Sequence, residues 1–180
     1  MEEMRLELFR RGNRDHERQA AELLREAFPE AYGEDPEEEV RSILQEERIA
    51  VKAVLKGELV GLIGAIPQYG HTGWELHPLV VRRDLHGKGI GRKLVSLLEE
   101  KVAEGGGMTL YLGTDDENGA TSLSEGDLFQ DPFRKISEIR NYKGHPHEFY
   151  QKMGYIIIGV LPDANGIGKP DIWMAKSLVR

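Results

Sequence analysis

A glycine-rich turn before an amphipathic helix is the clearest chemical feature of this 180-residue chain. In "VVRRDLHGKGIGRKL", glycines occupy alternate positions ahead of the helix: Gly87, Gly89 and Gly91. Such a turn presents unpaired N–H groups to an anion, and the helix dipole adds to the attraction. Basic residues flank it in a chain of net charge −7: Arg82, Arg83, Lys88, Arg92 and Lys93. The pattern favours a phosphate or pyrophosphate, although the glycines alone leave a solvated loop equally open.

Two common nucleotide motifs do not fit this turn. The spacing is G-x-G-x-G rather than the dinucleotide G-x-G-x-x-G, and no parallel βαβ unit surrounds it. The phosphate-loop pattern G-x-x-x-x-G-K-[ST] is absent from the sequence. With no cysteine, thiolate metal sites and a cysteine nucleophile are excluded, and the six histidines lack metal-ligand spacing. We therefore expect no metal.

The strand before the turn, "WELHPLV", contains a proline. Pro78 cannot donate a hydrogen bond to a neighbouring strand, so it predicts a sheet edge or a bulge. A bulge would turn nearby backbone groups, such as the Leu79 N–H, away from the sheet. An extended ligand could pair with those groups as an added strand would.

Charge and hydropathy limit the possible partners. Residues 30–47 hold eight acids against one arginine, and residues 114–127 hold five acids and no base. These segments either solvate a face or line a pocket for a cationic ligand, and they argue against a nucleic-acid partner. The N-terminal sequence lacks the apolar core of a signal peptide, and no apolar run is long enough to span a bilayer. We expect a cytoplasmic protein that forms a single domain over residues 1–180 and has no membrane partner.

These residues must be positioned by a mixed set of helices and strands. Periodicity predicts the order β, α, α, three strands, α, β, α, β, β, which is typical of an α+β sheet. The first two helices are predicted to begin at Asp15 and Asp35 as N-caps. A tight turn is expected at Lys56 and Gly57. Further helices are expected around Asp131 to Ile139 and in "PHEFYQKMG".

Two motifs together resemble a known superfamily. "VVRRDLHGKGIGRKL" resembles the acetyl-CoA pyrophosphate loop of the GCN5-related N-acetyltransferases, with His86 where glutamine or arginine is usual. "EFYQKMGY" resembles the later helix motif of the same superfamily, in the expected order and at the expected distance. Longer stretches, including "YLGTDD", "HPHEFYQKMGY" and "KPDIWMAK", look like one branch of the aminoglycoside 6'-N-acetyltransferases.

The resemblance implies a fold and a reaction. The fold is α+β, with a mixed, mostly antiparallel twisted sheet, flanking helices and a splayed central strand pair. The reaction transfers the acetyl group of acetyl-CoA to the 6'-amino group of an aminoglycoside, by direct attack of the amine on the thioester. The alternatives are another cationic amine, such as a polyamine or a protein lysine, and a non-catalytic acyl-CoA-binding module. A homodimer is expected.

The resemblance also implies roles for individual residues. Glu75 would hold the ammonium and accept its proton, unless it is an ordinary strand charge. The Leu79 N–H would bind the oxyanion, and His77 would relay a proton or hold the bulge. Tyr150 would donate to the leaving thiolate, unless it only packs in the core. A last group would bind the cofactor: Leu79, Val81, His86, Gly87, Lys88, Gly89, Ile90, Gly91 and Arg92.

The acceptor would meet carboxylates and aromatic rings. Asp115 and Asp116 follow a buried strand, and the resemblance implies that such acids receive ammonium groups of the aminoglycoside. The alternative for one of them is a turn or cap role. Tyr69 is a candidate for stacking on a sugar ring, as are Phe28 and Tyr32, and core packing is the alternative for each.

Overall fold

A computed structural model describes residues 4–180, which pack as two compact units. The first unit comprises residues 4–110 and 178–180, and the second comprises residues 111–177. No helix within the described residues is long and apolar enough to cross a membrane.

The first unit is an antiparallel sheet covered by helices. Its strands are β1 (Arg5–Leu8), β2 (Ile49–Leu55), β3 (Glu58–Gln68) and β4 (Gly73–Val81). Each of the four pairs with its chain neighbour. Its helices are α1 (Arg14–Ala27), α2 (Pro29–Tyr32), α3 (Pro36–Ile43) and α4 (Ile90–Glu104). The single turn of α2 was not predicted, and proline at its first position starts it.

The starts of two helices and the turn of the β2–β3 hairpin are determined by a few neighbouring residues. The Asp35 carboxylate accepts from the Glu38 N–H at 2.9 Å, which confirms the predicted cap. The predicted cap at Asp15 is wrong, because the Asn13 side chain accepts from the His16 N–H at 3.0 Å. Asp15 instead lies in the first turn and accepts from side chains one turn further on. The turn at residues 56–57 is confirmed, with both residues at positive φ.

The core of the first unit lies between the helices and the sheet. Leu24 of α1 and Ile43 of α3 pack with Leu62 of β3 and Val80 of β4, and all four are buried. Fully burying a side chain of this size stabilises a fold by about 1.5–3 kcal/mol. This packing fixes β4, which carries the candidate catalytic residues.

The second unit contains β5 (Thr109–Asp115), α5 (Pro132–Ser137), α6 (His147–Lys152), β6 (Ile156–Leu161) and β7 (Asp171–Ser177). Its strand order is β5-β7-β6, with β6 and β7 antiparallel. The helix expected around residues 131–139 is present as α5 but is shorter. The helix α6 ends before Gly154, whose φ is 91°. A short bridge between Thr121 and Asn141 ties together the loops around β5.

Candidate active site

The glycine-rich turn forms an anion cradle in the first unit. Gly87 and Gly89 have φ of 75° and 80°, and a Cβ built on either would meet nothing within 4 Å. Gly89 caps the 15-residue α4, whose first turn carries no acid. The first four N–H groups of a helix lack partners within it and attract an anion. The exposed Lys88 and Arg92 add charge, so the turn fits a pyrophosphate such as that of acetyl-CoA.

His86, which departs from the superfamily pattern, is bonded back to the strand before the turn. Its Nε2 lies 2.7 Å from the Val81 carbonyl oxygen. Because a carbonyl only accepts, Nε2 must carry the proton. The Leu85 N–H also donates, to the Arg82 carbonyl at 2.9 Å. His86 therefore stabilises the turn by a hydrogen bond to the strand that precedes it.

The predicted bulge in β4 is confirmed. Ile63 pairs with Leu79 and Ala65 pairs with Leu76, so His77 and Pro78 together face the single residue Gly64. The His77–Pro78 peptide bond is cis. A Cβ built on Gly64 would lie 2.7 Å from the His77 carbonyl oxygen, so only glycine allows this approach. Two residues facing one is the geometry of a bulge.

The His77 ring is bonded to the helical layer. Its Nε2 lies 2.8 Å from the Tyr32 hydroxyl and 3.7 Å from Glu39 Oε1. Burial, and then the Glu39 charge, raises the pKa of Tyr32 to about 12, so its hydroxyl stays protonated. Tyr32 also packs against the core, with the Phe28 ring edge-on at 5.8 Å. Sequence reasoning left His77 open between two roles, and it did not find Glu39.

A pocket of about 540 Å³ opens beside Tyr32 and Glu39. Glu38 also lines it. Asp35 and Arg41 line it as well and lie 3.6 Å apart, so they largely offset one another. Arg11 also lines the pocket and offsets one of the two glutamates, so the lining keeps an excess of one negative charge, which favours a cation.

The other β4 candidates lie along the same strand. Glu75 is half-buried and pairs with Ile66, on the Gly73 side of the bulge. Leu79 and Val81 are half-buried on the opposite side of it. Tyr69 is 82% exposed in the turn between β3 and β4, so it makes little contact with the core.

Tyr150 lies on α6 of the second unit. Its ring is 9% exposed and stacks edge-on against Tyr155 at 5.7 Å and Phe149 at 5.1 Å. Burial raises the pKa of Tyr150 to about 12. A protonated donor is thus held in a rigid aromatic setting.

The two neighbouring aspartates have different surroundings. Asp115 is exposed at the end of β5 and accepts from the Asn165 side-chain amide. Asp116 is 1% exposed, and its carboxylate accepts from the Ala120 and Thr121 N–H groups. It also accepts from the hydroxyls of Thr121 and Ser124. Burial raises the pKa of Asp116, but these hydrogen bonds outweigh it and lower the pKa overall. The geometry favours the turn role for Asp116.

Two buried histidines beside Asp115 escaped sequence reasoning. His145 and His147 are 4% and 2% exposed, and their Nδ1 atoms lie 3.1 Å apart. His145 Nε2 lies 3.0 Å from the Asp115 carbonyl oxygen. The only signal in the sequence was a pair of histidines at i and i+2, the second of which begins the Tyr150 helix. Within residues 4–180, no cluster of acids and histidines is arranged to hold a metal ion.

Comparison with known proteins identifies the fold. The model of the "Acetyltransferase (GNAT) family" matches residues 18–123. The chain belongs to this acetyltransferase family. The predicted α+β fold class is therefore confirmed, as is the superfamily. A search of the curated proteins finds no match.

Solved structures give a finer comparison for this acetyltransferase. One is an aminoglycoside 6'-N-acetyltransferase complexed with coenzyme A, with 53% identity, 98% of each chain covered and a TM-score of 0.96. The enzyme of the same name from Enterococcus faecium also has 53% identity and 98% coverage of each chain, with a TM-score of 0.95. The ribosomal-protein-S18-alanine N-acetyltransferase from Escherichia coli is 16% identical, covers 99% and 96% of the chains, and has a TM-score of 0.69. At that identity it shows the fold alone.

Proposed function

We propose that this chain transfers the acetyl group of acetyl-CoA to the 6'-amino group of aminoglycosides. The observation that carries the proposal is the 53% identity, over 98% of the chain, to two structures named for that activity. The anion cradle at Gly87–Arg92 fits the pyrophosphate of the co-substrate. The bulged β4 and the protonated Tyr150 provide groups that acetyl transfer requires.

The reaction needs a neutral amine, a donor for the oxyanion and a donor for the leaving sulfur. In our proposal Glu75 holds the acceptor ammonium and takes its proton, directly or through water. The Leu79 N–H, beside the bulge, donates to the oxyanion. His77 has a positioning role, because its ring already bonds to Tyr32 and so holds the bulge to the helical layer.

The pKa of Tyr150 defines its part in the step. A thiol has an ordinary pKa of about 8.5, whereas the Tyr150 phenol is raised to about 12. Full proton transfer from the phenol to the thiolate would therefore be uphill. We propose that Tyr150 stabilises the departing thiolate by hydrogen-bond donation and keeps its own proton.

We propose that carboxylates bind the acceptor. Asp115 is exposed and suits an ammonium group, and Glu39 beside its pocket offers a second charge. Several dispersed carboxylates suit a polyamine-like antibiotic better than an acceptor with one amine. Tyr69, exposed and aromatic, is proposed to stack on a sugar ring.

We further propose that residues 1–180 function as one domain, that the enzyme is a homodimer and that it acts in the cytoplasm. The edge strand β6 supports self-association, because Ile156 and Ile158 are 66% and 53% exposed on it. Trp173 of the adjacent β7 is 43% exposed. Exposed apolar edge strands favour pairing with another chain, and light scattering after gel filtration measures the mass directly.

The decisive experiment is a CoA-release assay with matched acceptors. We expect release with a kanamycin-type aminoglycoside and none with an analogue that carries a 6'-hydroxyl in place of the 6'-amine. Spermidine and a lysine peptide serve as alternative acceptors. Release only with one of these would reject the aminoglycoside assignment, and release with none would reject catalysis.

A further inference from the structure

The buried histidine pair beside Asp115 has a single consistent proton arrangement. His145 Nε2 faces the Asp115 carbonyl oxygen, which can only accept, so Nε2 carries a proton. The backbone N–H of His147 donates to His145 Nδ1 at 3.2 Å, so Nδ1 carries none. His145 is therefore neutral, and His147 must donate to it from a protonated Nδ1.

The surroundings hold this arrangement in place. The Asn141 side chain accepts from the His145 N–H at 2.7 Å and donates to its carbonyl at 3.0 Å. Burial lowers the pKa of His147, which favours its neutral form. Glu148 and Asp116 act in the opposite direction but do not reverse the shift. Hydrogen bonds in a buried, low-dielectric setting are stronger than in water, so these contacts restrain the two rings.

The pair joins two elements to which the proposed function assigns different tasks. His145 is bonded to the backbone of Asp115, the proposed acceptor carboxylate at the end of β5. His147 is the first residue of α6, the helix that carries Tyr150. The Tyr150 N–H donates to the Pro146 carbonyl, in the first turn of the same helix, at 3.3 Å.

We propose that His145 is a positioning residue for acetyl transfer, which sets the Tyr150 helix relative to the acceptor strand through its two ring nitrogens. The inference rests on the proposed function and extends it to a residue outside the reacting groups. Misplacing a catalytic group by about 1 Å can cost up to about 100-fold in rate. The His145 ring thus links Asp115, which is proposed to bind the acceptor, to the helix of Tyr150, which is proposed to stabilise the leaving thiolate.

Two substitutions separate the two bonds. In His145→Gln the amide nitrogen occupies the place of Nε2, which keeps the Asp115 bond and removes the link to His147. In His145→Asn the amide oxygen occupies the place of Nδ1, which keeps the link to His147 and frees Asp115. We expect His145→Gln to lower kcat by about 10- to 100-fold. We expect His145→Asn mainly to raise the KM for the aminoglycoside, and acetyl-CoA affinity to change little in either variant.

A matched control exists in the first unit. His16 is also buried, with Nε2 3.1 Å from the Gly57 carbonyl oxygen and Nδ1 2.8 Å from Lys52 Nζ. His16→Gln removes the same kind of bond outside the proposed site, so it should lower the melting temperature while leaving kcat unchanged. Equal loss of stability and unchanged kcat in His16→Gln and His145→Gln would overturn the proposal.

Two further measurements make the test specific. If His145 acts through Tyr150, then His145→Gln should cost no further kcat in a Tyr150→Phe background, and full additivity would contradict this. Nitrogen-15 spectra of the imidazole rings report the tautomers independently of turnover. We expect Nε2–H on His145 and Nδ1–H on His147 at neutral pH, and the opposite tautomers would reject the network. All variants are compared with an amine that the wild-type enzyme acetylates. The test of His145 therefore stays valid even if the acceptor proves not to be an aminoglycoside.

Discussion

Replacing Gly64 by alanine tests whether the β4 bulge is needed for catalysis. The added Cβ would lie 2.7 Å from the His77 carbonyl oxygen, a backbone atom that cannot rotate away. Ordinary contact begins at 3.4 Å, so the two strands must separate locally by about 0.7 Å, which is on the scale that disrupts catalytic geometry. The displaced segment leads directly to Leu79, the proposed oxyanion donor.

The expected effect is on turnover more than on stability. Overpacking of this kind costs about 1–3 kcal/mol in the free energy of unfolding. A misplaced oxyanion donor should lower kcat by about 10- to 100-fold. Steady-state CoA release gives kcat, and urea denaturation gives the stability of the same preparation.

Gly61 provides the matched control on the same strand. A Cβ on Gly61 would meet Leu94 Cδ1 and the Val80 carbonyl oxygen at 3.1 Å, a milder crowding away from the bulge. Gly61→Ala should therefore lose some stability and keep its kcat. If Gly64→Ala turns over as fast as Gly61→Ala, the bulge does not position the oxyanion donor and the reasoning is refuted.

Three other predictions concern single side chains. Tyr150→Phe should lower kcat with little change in the acetyl-CoA Kd measured by calorimetry, and unchanged turnover would remove Tyr150 from the mechanism. His86→Ala removes the bond to the Val81 carbonyl, and since one such bond contributes about 1 kcal/mol net, the acetyl-CoA Kd should rise about fivefold. His86→Gln can reach the same carbonyl and should keep wild-type affinity. Because the pKa of His147 is lowered from 6.5, the folded protein binds fewer protons than the unfolded chain just below pH 6.5. The part of the folding stability that depends on neutral His147 is therefore fully present above pH 6.5 and is lost as the pH falls towards the pKa of His147 in the folded protein. His147→Asn should flatten this part of the stability profile in urea denaturation, and an unchanged slope would contradict the assignment.

The sequence predicted elements whose cause is local. The Asp35 cap, the turn at residues 56–57 and the bulge at Pro78 each depend on one or two residues whose backbone chemistry permits little else. The Asp15 cap was wrong because Asn13 lies two residues earlier and competes for the same helix start. Local patterns alone could not decide between two acceptable caps.

Partners distant in sequence could not be predicted in this way. His145 reaches back 30 residues to Asp115, and His77 reaches back 45 residues to Tyr32. A lone histidine carries no pattern that identifies its partner, because either ring nitrogen can donate or accept. Such contacts become visible only when the fold brings the two segments together.

The two adjacent aspartates show a signal that the sequence did contain. Along β5 the side chains alternate, with Leu110 and Leu112 buried and Thr109 and Gly113 exposed. Continuing that period of two to the end of the strand directs Asp116 inward and Asp115 outward. A carboxylate is tolerated inward only when its lone pairs are satisfied. The nearby hydroxyls and N–H groups of residues 120–124 meet that need. The buried aspartate therefore orders the loop, and its exposed neighbour is left at a fixed strand end where it can receive an ammonium group.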